Sequence, residues 1–349
     1  MFFASDNSGP VPAPVLAALD AANQGFAKGY GVEDAMQQVR GHLRSIFEAP
    51  NAEIYLVATG TAANALSLAC LCQPWDTVFC TRLAHIYEDE CNAPEFYTGG
   101  AKLTITGPGD KMQPDELLEA ISGEGNRGVH GPQRGPVSLT QVTERGQTYS
   151  LDELQTLCDV AKSFNLPVHM DGARFANALV ALDCSAAEMT WKRRIDAVSF
   201  GGTKNGLMGV EAVIFFDPSY AWEFELRRKR GAHLFSKHRY LSAQMLGYLT
   251  DDLWLNTARK ANANAARLVA GLQRNPDIFL THRPQANMVF FKASRRIHQR
   301  ATAAGAVYNI LEGALCGEAP EELLTGRLVC DWSIQPESID AFLEIIAGD

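Results

Sequence analysis

Apolar residues recur along this chain in short blocks, each ending in a turn of small residues and followed by a stretch with helical spacing. Ile54-Tyr55-Leu56-Val57 is a block of strand length, followed by Thr59-Gly60-Thr61-Ala62-Ala63-Asn64 and an apolar helix, ALSLACLC. The alternation continues with strands at Thr77–Thr81, Lys102–Thr106, Gly135–Leu139, Leu166–Met170, Ile195–Phe200 and Val210–Phe216. Helices at 88–95, 114–122 and 151–164 fall between them, the last opened by a capping box of Ser150 and Glu153. Two helices precede the first strand, one in PAPVLAALDAANQGF and one over 34–48. Apolar strands alternating with helices predict an α/β fold, a three-layer, mainly parallel sheet with helices on both faces.

Past residue 218 the pattern changes. Residues 219–270 are strongly helical, and the tail reads as strand (Met288–Lys292), helix (294–304), strand (306–310), strand (Leu328–Ser333) and helix (336–346). That is a small C-terminal α+β domain. The expected division is an N-terminal segment 1–20, a large α/β domain 21–255 and a small domain 256–349.

Composition narrows the function classes. At 349 residues, 46% hydrophobic and 20% charged, the chain has the make-up of a globular protein with a large core. A net charge of −9 argues against a nucleic-acid footprint. The eight cysteines lack metal-ligand or redox spacing, the opening residues lack a signal-peptide stretch, and no apolar run is long enough to span a bilayer. A reducing cytoplasm is the expected setting, with no metal and no membrane.

Three strand ends carry candidate chemistry. At Thr59–Asn64 small residues open a helix, whose exposed amides make either a phosphate cradle or an ordinary tight turn. Asp171-Gly172-Ala173-Arg174 follows a strand; the carboxylate can keep a ring nitrogen protonated and Arg174 can clamp a carboxylate, or the two form a loop salt bridge. Lys204, in Gly201-Gly202-Thr203-Lys204-Asn205-Gly206, is either a Schiff-base amine or an exposed loop lysine. Gly201 and Gly202 are expected to let the backbone pass close to a ligand. His85 follows another strand, where an imidazole either lies on a ring or is structural. Cradle, then acid, then lysine 33 residues on is the order expected of pyridoxal phosphate enzymes of the aspartate-aminotransferase type.

Seven segments extend the pattern over the whole chain: FASDN, YGVED, TGTAAN, AHIYEDE, HMDGAR, FGGTKNG and GRLVCDW. Together they resemble the L-threonine aldolase family, in the β-eliminating-lyase group of fold-type-I pyridoxal phosphate enzymes, and TGTAAN and GGTKNG look most like its low-specificity bacterial branch. The resemblance implies a carbon–carbon lyase that cleaves L-threonine, L-allo-threonine or phenylserine-like amino acids to glycine and an aldehyde. It implies that Lys204 forms the Schiff base with pyridoxal 5'-phosphate, Asp171 pairs with the ring nitrogen and His85 stacks on the ring. Gly60, Thr61 and Thr203 would bind the phosphate, and Ser5, Arg174 and Arg327 the substrate carboxylate. His130, in GVHGPQRG, would contact the β-hydroxyl, leaving His130 or His85 as the base. Tyr30 would reach a neighbouring subunit's site in a homodimer or homotetramer, with Lys229, Lys237 or Arg239 adding phosphate contacts. TQVTERG at 140–146 and the basic RRKRGAHLFSKHR depart from the commoner family forms. Two other readings stand beside it: another lyase or aminotransferase with the same cofactor, and a non-catalytic phosphate-binding α/β protein.

Overall fold

A computed structural model of the protein describes residues 1–348. Seven strands form the main sheet: β1 (Glu53–Val57), β2 (Asp76–Cys80), β3 (Lys102–Ile105), β4 (Gln133–Thr140), β5 (Val168–Gly172), β6 (Ala197–Gly201) and β7 (Glu211–Phe215). Their spatial order is β1-β7-β6-β5-β4-β2-β3. Strands β2 to β6 pair in parallel, and β7 runs antiparallel to both β6 and β1. The C-terminal ends of β1, β2, β4, β5 and β6 therefore meet the start of β7 along one edge, where open α/β sheets bind ligands.

Alternation along the strands explains the layers. Ile54 and Leu56 of β1 join one apolar core with Val198, Phe200 and Ile214, whereas Tyr55 and Val57 join another with Ala197, Val213 and Phe215. Successive side chains point to opposite faces, so both faces are apolar and both need helical cover. The helix Gly60–Leu71 packs on β6 and β7 within the second core. Phe47 and Phe175 sit 5.9 and 5.4 Å from the Phe200 ring in the first.

A second sheet comprises β8 (Phe279–Leu280), β9 (Met288–Ser294), β10 (Asn309–Glu312) and β11 (Leu323–Val329), all antiparallel in the order β10-β11-β9-β8. Its core includes Phe291, Leu328 and Phe342, and Phe3 is buried in it, 5.2 Å from the Phe342 ring. The first residues thus pack with the C-terminal sheet before the chain crosses to the main one.

Four expected elements differ, the first being the strand expected at 306–310, which is β10 at Asn309–Glu312. The helix expected at 88–95 is two short ones, His85–Glu88 and Ala93–Thr98, parted by Cys91 and Asn92 at φ 49° and 60°. The helical run at 219–270 is divided by a turn after Gly231 and by left-handed Asp251 and Asp252. The strand expected at Leu328–Ser333 spans Leu323–Val329, because the Asp331 carboxylate accepts from the Ser333 amide at 2.7 Å and turns the chain there.

The Ser150–Glu153 capping box is complete: Ser150 Oγ accepts from the Glu153 amide at 3.2 Å, and Glu153 Oε2 from the Ser150 amide at 2.7 Å. Ser150→Ala is expected to lower stability by about 1 kcal/mol. A urea titration checks this, with the midpoint falling and the slope unchanged.

Candidate active site

The converging strand ends enclose a cavity of about 350 Å³. After β1, Thr59 caps the helix Gly60–Leu71, its Oγ1 accepting from the Ala62 amide at 3.1 Å. Gly60 and Thr61 line the cavity, and their amides, in the first turn, have no partner within the helix. A positive helix end of this kind can accept an anion. A side chain on Gly60 would meet nothing within 4 Å, so protein packing does not impose that glycine.

Asp171 stands at the end of β5, buried, with Oδ1 accepting from the Ala173 amide at 3.0 Å and Oδ2 from Asn64 Nδ2 at 2.8 Å. Asn64 Nδ2 also donates to Glu90 Oε1 at 2.9 Å, and that oxygen lies 2.8 Å from His85 Nδ1. The Glu90 hydrogen bond holds the His85 pKa above its ordinary value. The His85 main-chain amide donates to Glu144 Oε1 at 2.8 Å. Burial, reinforced by Asp171, raises Glu144 to about 7.

Lys204 follows β6 in a short 3-10 turn that Asn205 anchors, donating to Tyr248 OH at 2.6 Å and the Trp254 carbonyl at 2.7 Å. The glycines before it answer to packing. A Cβ on Gly201 would collide with the Ala173 carbonyl, and one on Gly202 would lie 2.6 Å from the Val210 carbonyl. Close strand and turn contacts thus already require both glycines, and neither lines the cavity. The half-buried Lys204 amine makes no hydrogen bond or ion pair among the described residues. Burial first, and then Arg174, lowers its pKa, while Asp6, Asp171 and Glu211 oppose the shift. Buried Glu211 accepts from the Gly202 amide at 2.6 Å and from the Thr203 hydroxyl, and burial raises it to about 7. Thr203 Oγ1 also accepts from the Val210 amide at 3.3 Å, so this cavity-lining hydroxyl is already committed twice.

Arg174 lines the cavity, but its fork is engaged: Nε donates to Asp6 Oδ2 at 2.7 Å and Nη2 to Asp6 Oδ1 at 3.0 Å. The pair with Asp6 uses the Nε side of the fork, which leaves the Nη1–Nη2 edge, with two parallel N–H groups, open for a carboxylate. Arg327 is near both, its pKa lowered first by burial and then by Arg174; its Nη2 donates to the Ala4 carbonyl, and its buried Nε has no partner. Ser5 Oγ accepts from the Asn7 amide at 3.1 Å, and Asn7 rather than Ser5 lines the cavity.

His130 stands apart. It is exposed and precedes β4, whose far end, Thr140, reaches the cavity, so the strand's full length separates His130 from the site within one chain. Tyr30 is exposed as well, with Lys229 Nζ 5.2 Å from its ring and its amide donating to the Ser236 carbonyl. Lys237 is exposed, and Arg239 donates to the carbonyl of Gly25 at 3.0 Å. Asp6, Asn64, Glu90, Glu144 and Glu211 were missed as functional residues. Four of them lie within the segments FASDN, TGTAAN, AHIYEDE and TQVTERG, and Glu211 opens the apolar strand β7, but their pairings leave no mark in the sequence.

The arrangement suits a phosphorylated aldehyde: a helix end for the anion, a buried acid for a ring nitrogen and a desolvated amine for the carbonyl. Together they are the features of an α/β enzyme that works with a phosphorylated aldehyde cofactor. The chain belongs to the beta-eliminating lyase family, whose sequence profile matches residues 3–295. It is 38% identical over 340 residues to the low specificity L-threonine aldolase of Pseudomonas aeruginosa, covering 97% of this chain and 94% of that one. Its identity to the low specificity L-threonine aldolase of a Pseudomonas species is 40% over 294 residues, 84% of each chain. Its fold is similar to a Leishmania major threonine aldolase, with a TM-score of 0.91 at 24% identity, covering 99% of this chain and 98% of that one.

Glu144 and Glu211, held at about 7 against an ordinary 4.5, give stability a signed pH dependence. The folded protein keeps their protons where the unfolded chain has lost them, so this contribution falls as pH rises from 4.5 to 7. Glu144→Gln and Glu211→Gln should each flatten that fall in the Tm of the cofactor-free protein. A wild-type slope in both variants contradicts the assignment.

Proposed function

We infer that this protein is a pyridoxal 5'-phosphate-dependent carbon–carbon lyase that cleaves L-threonine and L-allo-threonine to glycine and acetaldehyde. Phenylserine-like β-hydroxy-α-amino acids are further expected substrates. The observation that carries the reading is the meeting of Lys204, Asp171 and the Gly60–Thr61 helix end in one cavity. When bound, the cofactor supplies an electron sink for the pair released at Cα.

Lys204 would hold the aldehyde carbon, Asp171 would keep the ring nitrogen protonated, and Gly60 and Thr61 would hold the phosphate. Thr203 contributes there through its position in the lysine turn. Arg327, with its unpartnered Nε, and the open edge of Arg174 bind the substrate carboxylate, with Ser5 beside them. Fixing that carboxylate sets which bond at Cα stands ready to break. His85 Nε2 takes the proton from the β-hydroxyl as the Cα–Cβ bond breaks, and a proton returned to Cα completes glycine. His130 serves only if a neighbouring subunit presents it.

A homo-oligomer accords with the exposed Phe26, Tyr30 and Val32 beside Lys229. Residues 21–255 then form the cofactor-binding domain, 256–349 the small domain, and 1–20 a segment that ties them through Phe3 and Asp6. Eight unpaired cysteines favour the cytoplasm. No helix among the described residues is long and apolar enough to cross a membrane.

An aldehyde-release assay over both enantiomers of threonine and allo-threonine tests the function. Glycine and acetaldehyde should form from the L-isomers, and Lys204→Ala should lose at least about 1,000-fold in kcat. Cleavage confined to D-isomers, or a keto acid as product, contradicts it.

A further inference from the structure

We propose that Glu90 is a positioning residue that fixes the His85 imidazole with Nδ1 protonated, leaving Nε2 as the nitrogen that accepts a proton in the cavity. Asn64 carries the argument. Its Nδ2 lies 2.9 Å from Glu90 Oε1 and 2.8 Å from Asp171 Oδ2, two oxygens that accept, so this end of the amide is the donor. Glu90 Oε1 therefore already accepts one hydrogen bond when it meets His85 Nδ1 at 2.8 Å. With Glu90 ionised, or protonated on its unpartnered Oε2, Oε1 accepts and Nδ1 donates to it; the hydrogen bonds from His85 and Asn64 favour the ionised carboxylate against its burial. In a neutral imidazole the other nitrogen is then the base.

The pair is rigid. The Glu90 side chain is wholly buried, while that of His85 is 35% exposed and lines the cavity. Glu144 Oε1 holds the His85 main-chain amide, so ring and backbone are each tied to a glutamate. His85 Nε2 has no hydrogen-bond partner among the described residues. The charged groups that bear on the imidazole are Glu90 and Asp171, which raise its pKa, and Lys204, which lowers it; Glu144 approaches through the backbone. Through Asn64 the same glutamate steadies Asp171, so one carboxylate orients groups on two elements, the short helix His85–Glu88 and strand β5. Glu90 reaches the reacting atoms only through others, and it forms part of no motif role assigned from the sequence.

The tautomer is independent of the proposed reaction; only the use of Nε2 as base rests on that reading. The test is Glu90→Gln, with Glu90→Asp as the conservative control. In cofactor-free protein, long-range proton–nitrogen NMR of the His85 ring should show Nδ1 protonated in the wild type. The Gln variant should lose that preference and Glu90→Asp should keep it. In the loaded enzyme the acid limb of kcat/KM should move to lower pH in Glu90→Gln, since the carboxylate that raised His85 is gone. There kcat should fall about 10- to 100-fold with KM little changed. A wild-type ring protonated on Nε2, or a Gln variant with unaltered tautomer and pH limb despite a lower Tm, overturns the proposal. If the wild type releases no aldehyde, the functional reading fails while the NMR result still decides the role of Glu90.

Discussion

The site depends on how closely β5 and β6 run together at their C-terminal ends. A Cβ on Gly172 would lie 2.7 Å from the Ser199 carbonyl, and one on Gly201 would strike the Ala173 carbonyl. With Asp171 paired to Ser199 and Gly172 to Phe200, the two strands finish together. Their ends then diverge in opposite tasks, Asp171 held inward by Asn64 and Lys204 carried outward on the Thr203–Asn205 turn. A larger residue at either glycine would part the strands, and with them the acid and the amine.

Around this edge the protein buries more charge than a stability argument alone would favour. Asp6, Glu90, Asp171 and Glu211 are buried, and Arg174 is held by Asp6 in a two-bond pair. Removing ions from water costs several kcal/mol each unless hydrogen bonds replace the lost solvation. Here they do: Asp171 accepts two, Glu211 accepts from Gly202 and Thr203, and Asp6 accepts from Arg174 and Asn287. Lys204 and Glu90 are exceptions: the amine has no partner among the described residues and feels the Arg174 guanidinium, and the buried Oε2 of Glu90 is unpartnered. Asp6 has a structural consequence too, since Asn287 also donates to the Cys330 carbonyl and so links the small sheet to the site.

Much of this was legible in the sequence, for a physical reason. Lys204, Asp171 and the Thr59–Asn64 turn each follow an apolar strand, and strand ends on a parallel sheet share one edge. The same logic applies against His130, which precedes its strand and so lies at the sheet's other end. What sequence could not convey was pairing. Asn64 meets Glu90 across 26 residues and Asp171 across 107, and Asp6 meets Arg174 across 168. No periodicity records such contacts. The engagement of Arg174 by Asp6 was hidden for the same reason, as was β11, where Thr325 and Gly326 interrupt the apolar signal.

The central claim is that folding alone gives Lys204 an amine of lowered pKa, before any cofactor arrives. Competitive labelling of the cofactor-free protein with an amine-acylating reagent across pH, read by mass spectrometry at the Lys204 peptide, measures it directly. Lys204 should titrate below the ordinary lysine value of 10.5. A Lys204 that titrates at or above 10.5 would sink it.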